Sequence, residues 1–128
     1  MRELTDHKVA ALNQDLQVIT VDEPADIGGA NHEYDISYCL NPGTAAGGTS
    51  PMLRIKFQKG IVPESGINGI TIEALMAICI DRIRGFQSGE FACRENAIAL
   101  TKLEEALMWL QKRTIDRIRR GVEGTFHK

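Results

Sequence analysis

Apolar and polar residues follow a period of two in the first half of this chain and of three to four in the second. Leu16–Val21 is rich in β-branched residues and ends at Asp22, Glu23 and Pro24. Glu33–Leu40 places Tyr34, Ile36, Tyr38 and Leu40 at alternate positions, which predicts a strand with one apolar face. Met52–Gln58 alternates again: Leu53, Ile55 and Phe57 are expected to pack inward, while Arg54 and Lys56 stay wet. Residues 41–51, rich in glycine and bounded by Pro42 and Pro51, form a turn-rich connection long enough to act as a lid. Three such strands make a small antiparallel sheet, thin for a structure standing alone.

Gly60–Gly69 reads as a linker, and Thr71 then stands where a helix N-cap belongs, two residues ahead of Glu73. Ile72, Leu75, Met76, Cys79, Ile83 and Phe86 follow helical spacing, and Ala74, Ala77, Ile78 and Ile80 widen that stripe almost around the helix. So little polar surface calls for cover from a partner helix on one side and from another subunit elsewhere. Ser88-Gly89 breaks the pattern, with Gly89 suited to a left-handed C-cap position. A second helix runs from Phe91 to about Arg120, and Leu100, Leu103, Leu107 and Leu110 form a seam for an antiparallel neighbour. The expected fold is α+β: a small antiparallel sheet in the N-terminal half, then a long antiparallel helical hairpin. One domain over 1–128 is expected, with a β-rich part at 16–62, the hairpin at 71–120 and a tail at 121–128.

Charge sharpens this picture. The 128 residues carry a net charge of −2, with 43% hydrophobic and 25% charged residues, as in an ordinary soluble domain. That balance argues against general affinity for DNA, RNA or anionic membrane. Residues 1–40 hold two basic residues against eight acidic ones, whereas 111–120 hold five basic residues against Asp116. Macrodipole complementarity accounts for one or two cations at a helix C-terminus, less well for five. Arg113 and Arg117 are four apart, so both guanidinium forks share a face, an arrangement suited to phosphate oxygens.

Other chemistry is sparse. No Walker loop, dinucleotide fingerprint, HExxH or nucleophile elbow occurs, and the glycines of 43–48 lack the Lys-Ser/Thr of a phosphate loop. His7, His32 and His127 are scattered, and Cys39, Cys79 and Cys93 lack metal-ligand spacing, so neither metal nor cofactor is expected. Cys79 and Cys93, among apolar residues at helical positions, read as small hydrophobes, and the odd set of three fits a reducing compartment. The N-terminus lacks the apolar core of a signal peptide, and no run reaches membrane-spanning length. Met108 and Trp109 fit core or interface packing, and Glu104 and Glu105 fit helix solubility. Phe86, beside a glycine-bounded turn, either caps the hairpin or stacks a base. Asn96, a weak helix former one turn into the second helix, fits a side-chain hydrogen bond or an exposed polar position.

Residues 85–98, the segment Leu103–Leu110 and the run Arg120-Gly-Val-Glu-Gly-Thr125 resemble the helical hairpin domain shared by phage anti-defence sponges. The resemblance covers roughly residues 70–126, and the N-terminal β-segment points to the Thoeris anti-defence branch, since the anti-CBASS branch is mainly helical. It implies a protein without catalysis that acts in the cytoplasm of an infected bacterial host. Such a protein binds glyco-cyclic ADP-ribose made by TIR enzymes and keeps it intact. It further implies that Phe86 stacks on adenine, Asn96 hydrogen-bonds the ligand, and Arg113 and Arg117 engage phosphate and ribose oxygens. Gly124 and Thr125, with Arg119 or Arg120, would belong to a second pocket for cyclic di- or trinucleotides, within dimers or hexamers built as trimers of dimers.

Helix geometry adds a constraint. Asn96 and Arg113 are 17 residues apart, about 25 Å along a straight helix. One cyclic ADP-ribose touches both only if they come from different chains, which puts the pocket at a subunit interface. Three rival readings remain: a sponge mainly for CBASS cyclic nucleotides, a small DNA-binding regulator using the basic helix end, and an enzyme that cleaves the signal.

Overall fold

The computed structural model describes residues 1–10, 12–25, 28–39 and 48–121. Two compact units divide the chain, Met1–Lys59 and Gly60–Lys128.

The first unit is a four-stranded antiparallel sheet in sequence order: β1 (Arg2–Leu4), β2 (Leu16–Thr20), β3 (Glu33–Cys39) and β4 (Thr49–Lys56). Its register aligns Leu4, Val18, Ile36 and Leu53 across one face, and Glu3, Ile19, Asp35 and Arg54 across the other. The alternation of β3 thus becomes one apolar row and one that is polar except for Ile19. Strand β1 carries too few residues to show a period. Thr20 holds it: its buried hydroxyl accepts from the Arg2 N–H at 2.8 Å and donates to the Arg2 carbonyl at 3.2 Å.

The expected inward face of β4 is only partly realised, because Ile55 is half-buried while Leu53 stays 56% exposed. The register slips between Ile36 and Ser37, so Met52 is the extra residue of a bulge. Pro51, which has no N–H to donate, sits beside that bulge on an edge strand. Of the connection at 41–51, residues 41–47 lie outside the described part.

Two carboxylates lock the sheet. Arg54 makes a two-point ion pair with Asp35, at 2.6 and 2.8 Å, and this holds the Asp35 carboxyl below its ordinary value. Asp22 is pushed up by partial desolvation. Bonds from the His32 N–H, the Asn31 amide and the Glu33 N–H outweigh that and leave it lowered too. Depressed folded values mean that both groups contribute stability in full above the ordinary carboxyl value of 3.8. That contribution fades as pH falls through the lowered folded values. The urea midpoint of the sheet is therefore expected to drop between pH 5 and pH 3, and Asp22→Asn to flatten the slope. Both tyrosines lie in β3, so tyrosine dichroism follows this unit, and a pH-independent midpoint would contradict the assignment.

The second unit begins where a linker is expected, yet Val62–Ser65 forms one helical turn, α1, with Pro63 in its first positions. Its C-terminal residue folds back so that a side chain on Gly60 would meet Ser65. Then come α2 (Ile72–Gln87) and α3 (Arg94–Arg119). Thr71 caps α2 as its sequence indicates, accepting from the Ala74 N–H at 3.1 Å. Leu100, Leu103, Leu107 and Leu110 are all half-buried and form the expected seam. Ile80 is the buried apolar side chain of this hairpin, at 3% exposure. Ile78 at 65% and Trp109 at 70% lie on its outer faces.

Candidate functional site

Two ion pairs mark the register of the hairpin. Arg84 meets Glu104 at 2.7 Å, and Arg113 meets Glu73 at 3.4 Å. Partners rise in number along α2 as they fall along α3, so the helices are antiparallel. The end of α2 and the start of α3 form a turn end, while the start of α2 and the end of α3 form an open end.

At the turn end, Gly89 is not left-handed, as positive-φ glycines among the described residues are found elsewhere. Ser88 closes α2 in right-handed geometry instead, its N–H on the Arg84 carbonyl and its hydroxyl on the Gly85 carbonyl at 2.7 Å. Gln87 then binds Cys93 twice, accepting from its N–H at 3.0 Å and donating to its carbonyl at 3.2 Å. The second helix consequently starts at Arg94 rather than Phe91, with Cys93 as N-cap and its sulfur accepting from the Asn96 N–H at 3.4 Å. Cys79 and Cys93 are exposed, contrary to their expected role as small core residues. Phe86 and Asn96 are both half-buried here, on facing sides of the same connection.

Four arginines gather at the open end. Arg113, Arg117, Arg119 and Arg120, together with Asp116, line an open concavity of about 700 Å³. Lys112 binds Asp116 at 2.8 Å and, with Arg119 and Arg120 nearby, holds its carboxyl below the ordinary value. The acid is thus already neutralised locally, and the concavity is left strongly cationic. Gly121, at φ 72°, follows the C-cap Arg120, and its N–H binds the Ile118 carbonyl at 3.0 Å. Glu73, in the first turn of α2, anchors the Arg113 guanidinium from across the hairpin.

The structure therefore brings the predicted site residues together in two groups. Phe86 and Asn96 share the turn end; Arg113, Arg117, Arg119 and Arg120 share the open end. The continuous 26-residue α3 separates Asn96 from Arg113 within one chain. Gly124 and Thr125 lie outside the described residues. Sequence reasoning missed Glu73, whose contact with Arg113 spans 40 residues. It also missed Arg82 and Phe91, which flank Phe86. Only Arg82 left a trace, its i, i+4 spacing from Phe86. No helix among the described residues is long and apolar enough to cross a membrane, and no group of three or more His, Cys, Asp or Glu among them is placed to hold a metal.

Comparison with known proteins gives the family of this long antiparallel hairpin. The Acb2/Tad1 hairpin domain matches residues 51–114, half of the chain, and the chain belongs to that family. Thoeris anti-defense 1 of Bacillus phage SBSphiJ7 is 60% identical over 74 residues, which cover 58% of this chain and 52% of the relative. The chain thus spans about half the length of that curated relative.

Proposed function

We propose that this chain is a phage anti-defence sponge that binds glyco-cyclic ADP-ribose made by Thoeris TIR enzymes and holds it without turnover. The immune effector is thereby deprived of its signal in the cytoplasm of the infected host. The observation that carries this reading is the division of ligand-type groups between opposite ends of one hairpin, in a chain so similar to a Thoeris anti-defence protein.

A compact cyclic nucleotide cannot span about 25 Å from Asn96 to Arg113 on one helix. Two copies packed antiparallel bring the turn end of one against the open end of the other. Symmetry then makes two pockets per dimer. Exposed Ile78, Met108, Trp109, Ile115 and Ile118 supply the apolar surface such packing needs. Within each pocket Phe86 stacks on the adenine and Asn96 hydrogen-bonds the ligand. Arg113 and Arg117 from the other copy neutralise the pyrophosphate. A second site for cyclic di- or trinucleotides would draw on Arg119 or Arg120, two further cations at this helix end, with Gly124 and Thr125. Dimers joined as trimers would present three sets of such pockets.

Sequestration and cleavage are separated by recovery. After incubation with TIR-derived signal, heat denaturation is expected to release ligand that reactivates the Thoeris effector in full. Release of a product that no longer activates it would replace the sponge reading by an enzymatic one.

A further inference from the structure

The turn end carries more aromatic surface than Phe86 alone. Phe86 meets Phe91 edge to face, with centroids 6.1 Å apart and planes at 89°. Phe91 is 66% exposed, although the backbone on either side of it is pinned. The Gln87–Cys93 bonds close the connection behind it, and the Ala92 N–H binds the Gly89 carbonyl at 3.2 Å around it. An aromatic ring on a pinned backbone that its own chain leaves mostly uncovered adds little to the hairpin's own packing. Arg82, one turn back on α2, lies with its guanidinium carbon 5.0 Å from the centre of the Phe86 ring.

We infer that Phe86 and Phe91 form a right-angled aromatic corner that receives the purine base of the ligand, making Phe91 a binding residue of the site. This corner presupposes the sponge reading and extends it to a second ring. A base stacked on one of the two rings stands perpendicular to the other, so stacking and edge-to-face contact are made together, both favoured by ring quadrupoles. The fused bicycle of a purine has the width to reach both rings; a single pyrimidine ring offers less overlap. Arg82 occupies a face of Phe86, and a base stacking there displaces it, exchanging a weak exposed cation–π contact for base stacking.

Calorimetric titration of the full chain with glyco-cyclic ADP-ribose tests the corner. Phe91→Ala is expected to weaken binding about tenfold, within the roughly 5- to 150-fold range of one base–aromatic contact. Phe91→Tyr is expected to stay within about threefold of the parent, since it keeps the ring. Phe91→Leu restores apolar volume without a ring and is expected to remain as weak as Phe91→Ala. Melting temperature and oligomer size are expected to be unchanged throughout. Parental affinity in Phe91→Ala, or recovery in Phe91→Leu, overturns the corner while leaving the sponge reading intact. If Phe91→Ala loses its oligomer, Phe91→Leu decides: weak binding by an intact assembly supports the corner, and parental binding sinks it. Failure of the parent chain to bind this ligand overturns the sponge reading and the corner together.

Discussion

Arg113→Ala is expected to abolish capture of glyco-cyclic ADP-ribose while leaving the assembly intact. A charge-assisted hydrogen bond contributes roughly 1.5–3 kcal/mol, and a guanidinium fork on a pyrophosphate makes two. Losing both weakens binding by about a hundredfold or more. The fold has little at stake. Arg113 touches Glu73 at 3.4 Å, and both side chains are partly in solvent; such surface pairs contribute about 0–1 kcal/mol. Melting temperature should therefore move by a few degrees at most. Arg113→Lys keeps the charge and loses the fork, so it is expected to fall between parent and alanine variant. Titration alongside size-exclusion chromatography checks all three, and undiminished capture by Arg113→Ala would remove this arginine from the site.

Mixing two inactive variants is expected to restore binding. Phe86→Ala destroys the turn end of a pocket, and Arg113→Ala destroys the open end. Alone, each variant spoils both pockets of a symmetric dimer. Random reassembly of an equimolar mixture makes about half of all dimers mixed, and each mixed dimer holds one pocket with both wild-type halves. About one quarter of the parental ligand stoichiometry should return, at parental affinity. The stoichiometry distinguishes a shared pocket from one built within a single chain, where mixing restores nothing. Subunit exchange under mild denaturant, followed by titration, gives the measurement. A flat titration from a verified mixed dimer would refute the two-chain pocket.

Much of the fold was legible along the chain because it rests on short-range periodicity. The alternation of Tyr34, Ile36 and Tyr38 marks β3, and the spacing of Leu100 to Leu110 marks the seam of α3. Thr71 announces the start of α2 because an N-cap needs only a side-chain oxygen three residues from its partner. Strand β1 was not legible, since three residues carry no period and its hold comes from Thr20, 18 residues away. The turn at Ser88 departs from the expected glycine cap for a related reason. Glycine permits a left-handed cap, but the Ser88 hydroxyl and the Gln87–Cys93 bonds favour a right-handed closure.

The candidate site divides along the same line. Pairs within one helical turn, such as Arg113 with Arg117, were visible because a helix fixes which neighbours share a face. Arg82 beside Phe86 obeys the same rule, but an arginine on a helix has many ordinary uses, so spacing alone does not assign it to the ring.

By itself the sequence determined β2, β3, β4, α2 and α3, the antiparallel hairpin, the cationic end of α3 and the impossibility of one chain's Asn96 and Arg113 meeting on a single small ligand. Each of these depends on helix or strand repeat distances that local residues impose. Only the tertiary structure decided that Glu73 anchors Arg113, that Phe91 stands at right angles to Phe86, and that four arginines share one concavity. Those contacts depend on how two helices face each other and how the connection between them closes, and no local repeat encodes either.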